Sequence, residues 1–283
     1  MTLKSVVEPP ALTDPDDAYA NAPHIAAADA IVARWPMRAQ AFRDRLDAEG
    51  RFHAGRRYGE GPGERADIFY PEGHGCGVAV FVHGGYWMRF SPEDFSHLAA
   101  GAVARGWVVV LPGYPLCPGV SIDTISDCIR RAVIAASELA DGPVRLAGHS
   151  AGGHLVTRLL CSDTVLPGAL ETRLERTLSI SGIHDLVPLL ATSMNDTLRL
   201  DLADALAGSP ARHLPRPGVR ACAWVGSNER PEFIRQNALL GNIWNGLGVR
   251  VATHVETGRH HFDVIEDLVR TDSPMLEWWL GSG

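Results

Sequence analysis

The stretch RLAGHSAGGHL, residues 145–155, decides the fold of this chain. It follows an apolar run typical of a strand, opens a helix, and contains the motif Gly-x-Ser-x-Gly centred on Ser150. A serine in this position lies on a sharp turn with its hydroxyl exposed, and the flanking glycines leave room for neighbouring backbone. The helix start also offers free N–H groups, including that of Ala151, to a developing negative charge. The motif predicts a nucleophilic serine; the alternative is a glycine-rich helix start capped by a serine.

On both sides of this motif, short apolar runs alternate with segments of helical pattern. The runs are about five residues long and lack polar alternation, which favours strands buried on both faces. Strands that alternate with helices predict an α/β fold with a mostly parallel central sheet, covered by helices on both faces. The predicted strands are 66–71, 78–82, 107–112, 144–148, 177–181, 220–226 and 250–256. The predicted helices are 91–106, 121–140, 152–162, 230–248 and 261–270.

We expect a single domain over residues 1–283 with two helical additions. Residues 1–55 have helical patterns and are predicted to form an N-terminal helical cap segment. Residues 182–217 contain no strand pattern and are long for a simple connection. They are therefore predicted to form a helical insertion or a lid.

Composition excludes several classes of partner and cofactor. The formal net charge is −7 and no run of Lys and Arg occurs, which argues against a nucleic acid. No apolar run approaches the roughly 20 residues of a membrane span, and no signal peptide is evident, so we expect a cytoplasmic protein without a membrane partner. The five cysteines are scattered and form no Cys-x-x-Cys pair. We therefore expect no disulfide framework, no metal and no cofactor. The expected partner is a small-molecule substrate, and a homodimer is one conceivable assembly.

A serine nucleophile needs a histidine base, which is held in turn by a carboxylate. In the fold that this motif serves, the acid and then the histidine follow later strands. Glu229 and Glu232 come after the strand at 220–226, and His260 and His261 come after the strand at 250–256. We favour Glu229, because Glu232 follows a proline and is suited to a helix start. We favour His261, although spacing alone leaves His260 open.

The segment HGGYW, residues 83–87, joins two glycines to two aromatic residues at the end of a predicted strand. Glycine backbone can approach a substrate closely, so the N–H groups of Gly84 and Gly85 are predicted to share an oxyanion hole with that of Ala151. Tyr86 and Trp87 are predicted to bind a flat substrate. The alternative is that both aromatic side chains belong to the core.

Taken together, these motifs resemble the α/β-hydrolase superfamily. Within it they resemble the kynurenine formamidase (arylformamidase)-like branch, which is related to hormone-sensitive-lipase-like esterases. The resemblance covers roughly residues 60–280 and rests on HGGYW, GHSAGGHL, ERPEFIRQN and HHFDVIEDL. The family's acid is usually Asp, whereas the matching position here is Glu229.

The resemblance implies a serine hydrolase that cleaves the formyl amide of an N-formyl arylamine such as N-formyl-L-kynurenine. It implies Ser150 as nucleophile, His261 as base and Glu229 as acid, without a metal or cofactor. Two alternatives stay open: a carboxylesterase of short-chain or aryl esters, and a non-catalytic ligand-binding homologue. Proteins of the second kind typically lose the nucleophile or the histidine, and this chain has both.

Overall fold

One eight-stranded sheet organises the computed structural model, which describes residues 14–281. Its strands are β1 (Phe52–Arg57), β2 (Arg65–Phe69), β3 (Val78–Val82), β4 (Val108–Pro112), β5 (Val144–His149), β6 (Leu174–Ile180), β7 (Arg220–Gly226) and β8 (Arg250–Glu256). The order across the sheet is β1-β2-β4-β3-β5-β6-β7-β8. Strand β2 is antiparallel to both of its neighbours, and every other neighbouring pair is parallel. The α/β fold with a mostly parallel sheet is confirmed.

Helices cover both faces of the sheet. The α-helices of the described residues are α1 (Pro15–Tyr19), α2 (Ala28–Ala48), α3 (Ala100–Ala104), α4 (Ile122–Ala136), α5 (Ala151–Arg158), α6 (Gly168–Glu171), α7 (Asn195–Leu198), α8 (Leu202–Gly208), α9 (Pro231–Gly246) and α10 (Pro274–Leu280). Helices α4, α5 and α9 bury apolar side chains against one face, and α2, α3 and α10 against the other. Short 3₁₀ helices of three to six residues complete the connections.

The central strands are apolar throughout because both of their faces are buried. In β3, Val78, Val80 and Val82 belong to one core, while Ala79 and Phe81 belong to the other. Side chains of a strand alternate between faces, so an unbroken apolar run supplies both cores at once. Burial of every β3, β4 and β5 residue agrees with this reading of the sequence.

The strand order places a crevice at the carboxyl ends of β3 and β5. From β3 the chain moves outward to β4 and then crosses back to β5 on the other side of β3. The strands that follow β3 in the chain, β4 and β5, therefore lie on opposite sides of it. Ligands of open parallel sheets bind where the strand order reverses in this way. The segment HGGYW follows β3 and Ser150 follows β5, so both motifs lie at this point.

Two predicted elements need correction, and one helix was missed. Residues 52–55, assigned to the helical cap, belong to β1, an edge strand whose mostly exposed and polar side chains lack a buried-strand pattern. The predicted helix at 261–270 is a 3₁₀ helix over Val264–Val269, and the helix α10 was not predicted. Residues 1–13 of the predicted cap lie outside the described part of the chain.

Residues 182–217 form short helices and no named strand, as an insertion would. The cysteines are unpaired, four of them buried and Cys76 exposed. Among residues 14–281, no helix has the length and apolar character needed to cross a membrane.

Candidate active site

Ser150 occupies a strained turn between β5 and α5. Its φ of 55° and ψ of −117° are rare for a residue with a side chain. A Cβ atom on Gly148 would lie 2.1 Å from the Gly152 carbonyl oxygen, and one on Gly152 would lie 2.0 Å from the Val82 oxygen. The Ser150 N–H donates to the Ile180 oxygen at 2.8 Å. Crowding by backbone thus explains both motif glycines, and Ser150 itself lines the cavity at this point.

His261 and Glu229 form a buried pair in the same region. The Nδ1 of His261 lies 2.6 Å from Glu229 Oε2. The other oxygen of the carboxylate accepts from Ser181 Oγ at 2.5 Å and from the Gly226 N–H at 2.8 Å. With the carboxylate as acceptor, Nδ1 carries the proton and Nε2 is left as an acceptor. This is the tautomer that can take a proton from a serine.

The structure brings neither Glu232 nor His260 into this pair. Glu232 accepts from Tyr19 Oη at 2.8 Å and binds Arg235 through both of its oxygens. The imidazole of His260 accepts from the backbone N–H groups of residues 262 and 263, at the start of the next turn. Both therefore organise local structure, and the geometry favours Glu229 and His261 between the alternatives left open by the sequence.

The loops that carry the acid and the histidine are tied together. A Cβ on Gly226 would lie 2.2 Å from the Arg259 oxygen, so the loops approach more closely than a side chain would allow. The Asn228 N–H donates to the same oxygen at 2.9 Å, and the Gly258 N–H donates to Ser227 Oγ at 2.9 Å. These bonds hold the 2.6 Å contact between the carboxylate and the imidazole in place.

Gly84 and Gly85 lie beside the serine. A Cβ on Gly84 would lie 3.0 Å from Ser150 Cβ and 2.8 Å from the His149 oxygen, and Gly85 has a φ of 118°. Within residues 14–281, the backbone N–H groups of Gly84, Gly85 and Ala151 have no hydrogen-bond acceptor. Backbone donors without an acceptor therefore lie in the loop after β3 and at the first residue of α5, next to Ser150.

The two aromatic residues of HGGYW have different places. Tyr86 lines the cavity next to Ser150, and its hydroxyl donates to the Tyr19 oxygen at 2.9 Å. Trp87 is fully buried and packs edge-on against His154 of α5, with ring centroids 5.1 Å apart. The prediction that Trp87 binds substrate is wrong, because its side chain instead fastens the glycine loop to the helix that follows Ser150.

His149 has a role that the sequence did not reveal. Its Nε2–H donates to the His261 oxygen at 2.9 Å, and the two imidazoles lie 4.6 Å apart. Burial lowers the pKa of His149 well below its ordinary value of 6.5. A neutral imidazole therefore fixes the backbone of His261. Ser181 was also missed, and its position after β6, beside the acid loop, was the available signal.

A cavity of about 300 Å³ connects these groups. Ser150, His261, Gly84 and Gly85 form its floor, and residues of α2 and the turn before it form one wall. The aromatic side chains that line it are Trp35, Tyr86, Phe90, Phe95 and Phe262. None of its lining residues lies within 182–217, and those contributed by the N-terminal segment lie between Ala22 and Trp35. The cap formed by residues 1–55 and the lid formed by residues 182–217 stay predictions.

The site shows no ligand set for a metal. Within the described residues, no three His, Cys, Asp or Glu side chains are arranged to hold an ion.

Comparison with known proteins assigns the family. Residues 79–280 match the family model described as the alpha/beta hydrolase family, so the chain belongs to the alpha/beta hydrolase family and is a hydrolase.

More narrowly, curated relatives are named kynurenine formamidase, which confirms the predicted branch. The relative from Danio rerio is 31% identical over 221 residues, covering 75% of this chain and 75% of its own. The relative from Salmo salar is 31% identical over 225 residues, with 76% of each chain covered.

Solved structures confirm the fold. A candidate thioesterase from Silicibacter sp. TM1040 is similar at 43% identity with a TM-score of 0.89, over 94% of this chain and 98% of its own. A propionate-bound esterase from Thermogutta terrifontis is 18% identical with a TM-score of 0.58, over 72% of this chain and 83% of its own. The second likeness concerns the fold alone.

Proposed function

We propose that this protein is a serine hydrolase that cleaves the formyl amide of N-formyl-L-kynurenine, giving formate and the free arylamine. One observation carries the proposal: a single cavity is lined by Ser150, by Gly84 and Gly85 with free backbone N–H groups, and by His261, whose Nδ1 contacts Glu229. The similarity to kynurenine formamidases supports a formyl amide as the bond that is cleaved.

In the first step Ser150 Oγ attacks the formyl carbon while His261 Nε2 takes its proton. Ser150 Oγ makes no hydrogen bond within the described residues. In enzymes without substrate, the hydrogen bond between the nucleophile and the base often forms only when substrate binds. The carbonyl oxygen becomes an oxyanion and accepts from the N–H groups of Gly84, Gly85 and Ala151. Each such donor is worth about 3 kcal/mol in the transition state.

In the second step the imidazolium of His261 protonates the departing arylamine, and the C–N bond breaks. Water then attacks the formyl ester on Ser150, with His261 again as base, and formate leaves. Glu229 keeps Nδ1 protonated and stabilises the positive charge on the ring throughout.

A second candidate is hydrolysis of a thioester. It is favoured by the 43% identical structure described as a candidate thioesterase. The same serine, histidine and oxyanion donors would serve that reaction, so only the substrate distinguishes the two.

The test compares kcat/KM for N-formyl-L-kynurenine, p-nitrophenyl acetate and acetyl-coenzyme A, with Ser150→Ala as control. We expect the formamide to be the best substrate and Ser150→Ala to lose at least about 10³-fold. Turnover of only the ester or thioester would reject the formamidase assignment while keeping the serine mechanism. Undiminished activity in Ser150→Ala would reject the mechanism.

A further inference from the structure

Two oppositely charged side chains lie on the otherwise mostly apolar lining of the cavity. Asp29 projects from the first turn of α2, and Arg89 belongs to the loop that follows Gly84 and Gly85. The rest of the lining consists of aromatic and small side chains with Ser150 and two histidines. The cavity thus offers one carboxylate and one guanidinium in addition to the reacting groups.

Neither charge has a side-chain partner in the described part of the chain. Within residues 14–281, Asp29 and Arg89 make no ion pair and no side-chain hydrogen bond. Most other acidic and basic side chains near the site do have partners, such as Arg38 with Glu266 at 2.6 Å and Arg235 with Glu232 at 2.7 Å. The guanidinium of Arg89 lies over the Phe90 ring at 5.0 Å from its centroid, which restricts its position at the cavity wall.

We propose that Asp29 and Arg89 recognise the zwitterionic α-amino-acid group of an aryl-formamide substrate. This inference rests on the proposed function. Arg89 would bind the α-carboxylate, because a planar guanidinium binds a carboxylate through two parallel hydrogen bonds. Asp29 would bind the α-ammonium. The aromatic ring of the substrate would lie among the aromatic side chains of the lining, with the formyl carbon at Ser150.

The same pair argues against a highly anionic substrate. A coenzyme thioester carries several phosphate charges, and these would meet a single guanidinium and a repelling carboxylate at Asp29. A substrate with one positive and one negative charge matches the lining without leaving either group unpaired. The two residues therefore act as specificity determinants that favour a free amino acid over its ester, its amide or a phosphorylated carrier.

The test uses three formamides and two charge-removing variants. The substrates are N-formyl-L-kynurenine, its methyl ester, and 2-formamidoacetophenone, which keeps the aryl formamide and ketone but lacks the amino-acid group. Formate release is measured for the wild type, Arg89→Met and Asp29→Asn. Arg34→Met is the matched control, because Arg34 is exposed on the same helix as Asp29 and does not line the cavity.

We expect Arg89→Met to reduce kcat/KM for N-formyl-L-kynurenine by about 10- to 100-fold, mainly through KM, because it removes a charged hydrogen bond. It should change the methyl ester and 2-formamidoacetophenone by less than about threefold, and Arg89→Lys should restore part of the loss. Asp29→Asn should impair both kynurenine substrates, which keep the ammonium, and spare 2-formamidoacetophenone. Arg34→Met should behave as wild type.

Equal losses on all three formamides would overturn the inference, because the residues would then act on the site in general. Unchanged KM in both variants would also overturn it, while wild-type cleavage of N-formyl-L-kynurenine would leave the proposed function standing. If the wild type cleaved none of the formamides, the proposed function itself would fail, and the wild-type measurement alone would show this.

Discussion

Replacing Glu229 with glutamine should abolish most of the activity while preserving the fold. The geometry dictates how the new amide is oriented. The Gly226 N–H and the Ser181 hydroxyl donate to Oε1, so the amide oxygen must occupy that position. The amide NH₂ then faces Nδ1 of His261, where Oε2 lies 2.6 Å away in the native protein. A donor at this point turns Nδ1 into an acceptor and moves the proton to Nε2.

The magnitude follows from the loss of the base. With the proton on Nε2, His261 cannot accept the proton of Ser150, and the developing imidazolium loses its carboxylate. The equivalent exchange in a serine protease triad costs about 10⁴-fold in kcat, which corresponds to about 5 kcal/mol of transition-state free energy. The free energy of unfolding should change far less. The Gly226 N–H and the Ser181 hydroxyl keep the amide oxygen as their acceptor, and only the contact with His261 Nδ1 changes.

The assay is kcat/KM for N-formyl-L-kynurenine and for p-nitrophenyl acetate, with circular dichroism to show that the variant is folded. Glu232→Gln is the matched control, since that carboxylate contacts Tyr19 and Arg235 and not His261. We expect it to retain activity within about tenfold. A folded Glu229→Gln variant with activity within tenfold of wild type would refute the assigned acid, and a larger loss in Glu232→Gln would transfer the role to Glu232.

Three further outcomes test the structure. Gly152→Ala should lower the free energy of unfolding in urea by about 3 kcal/mol, because its Cβ would lie 2.0 Å from a β3 carbonyl oxygen. Gly168→Ala is the control and should be neutral, because the space around Gly168 is open. Equal effects of the two substitutions would contradict the packing. Burial lowers the pKa of His83 and of His184 to about 4. Below pH 6.5 the unfolded chain then binds more protons, so each imidazole should lower the free energy of unfolding by about 2 kcal/mol between pH 7.5 and pH 5, measured by urea unfolding at both pH values. Trp87→Phe should lower the melting temperature and leave KM nearly unchanged, because the side chain is fully buried. A change in KM without a loss of stability would show that Trp87 contacts the substrate.

Much of the site could be predicted because its chemistry requires particular residues at particular strand ends. A nucleophile turn needs glycines at Gly148 and Gly152, and β5, β7 and β8 end where the serine, acid and histidine are needed. These are local constraints, and they leave a local pattern in the sequence. The same reasoning could not choose between His260 and His261, since adjacent residues differ only in which way the backbone turns.

The errors arose where long-range packing decides the outcome. Trp87 comes directly after Tyr86, and the two residues have similar positive φ values of 60° and 55°, yet their side chains have different surroundings. Tyr86 lines the cavity and Trp87 packs against α5. Strand β1 was missed because an edge strand with one exposed face needs no apolar run, and its pairing with β2 is visible only in the sheet.

The placement of the cap explains how substrate selection and catalysis share one set of contacts. The N-terminal segment is fastened to the acid loop, where the Arg230 side chain binds the Asp17 carboxylate and Tyr19 Oη donates to Glu232. It is also fastened to the oxyanion loop, where Asn21 donates to Tyr86 Oη at 3.2 Å. The cavity wall therefore rests on the same two loops that position the base and the oxyanion donors.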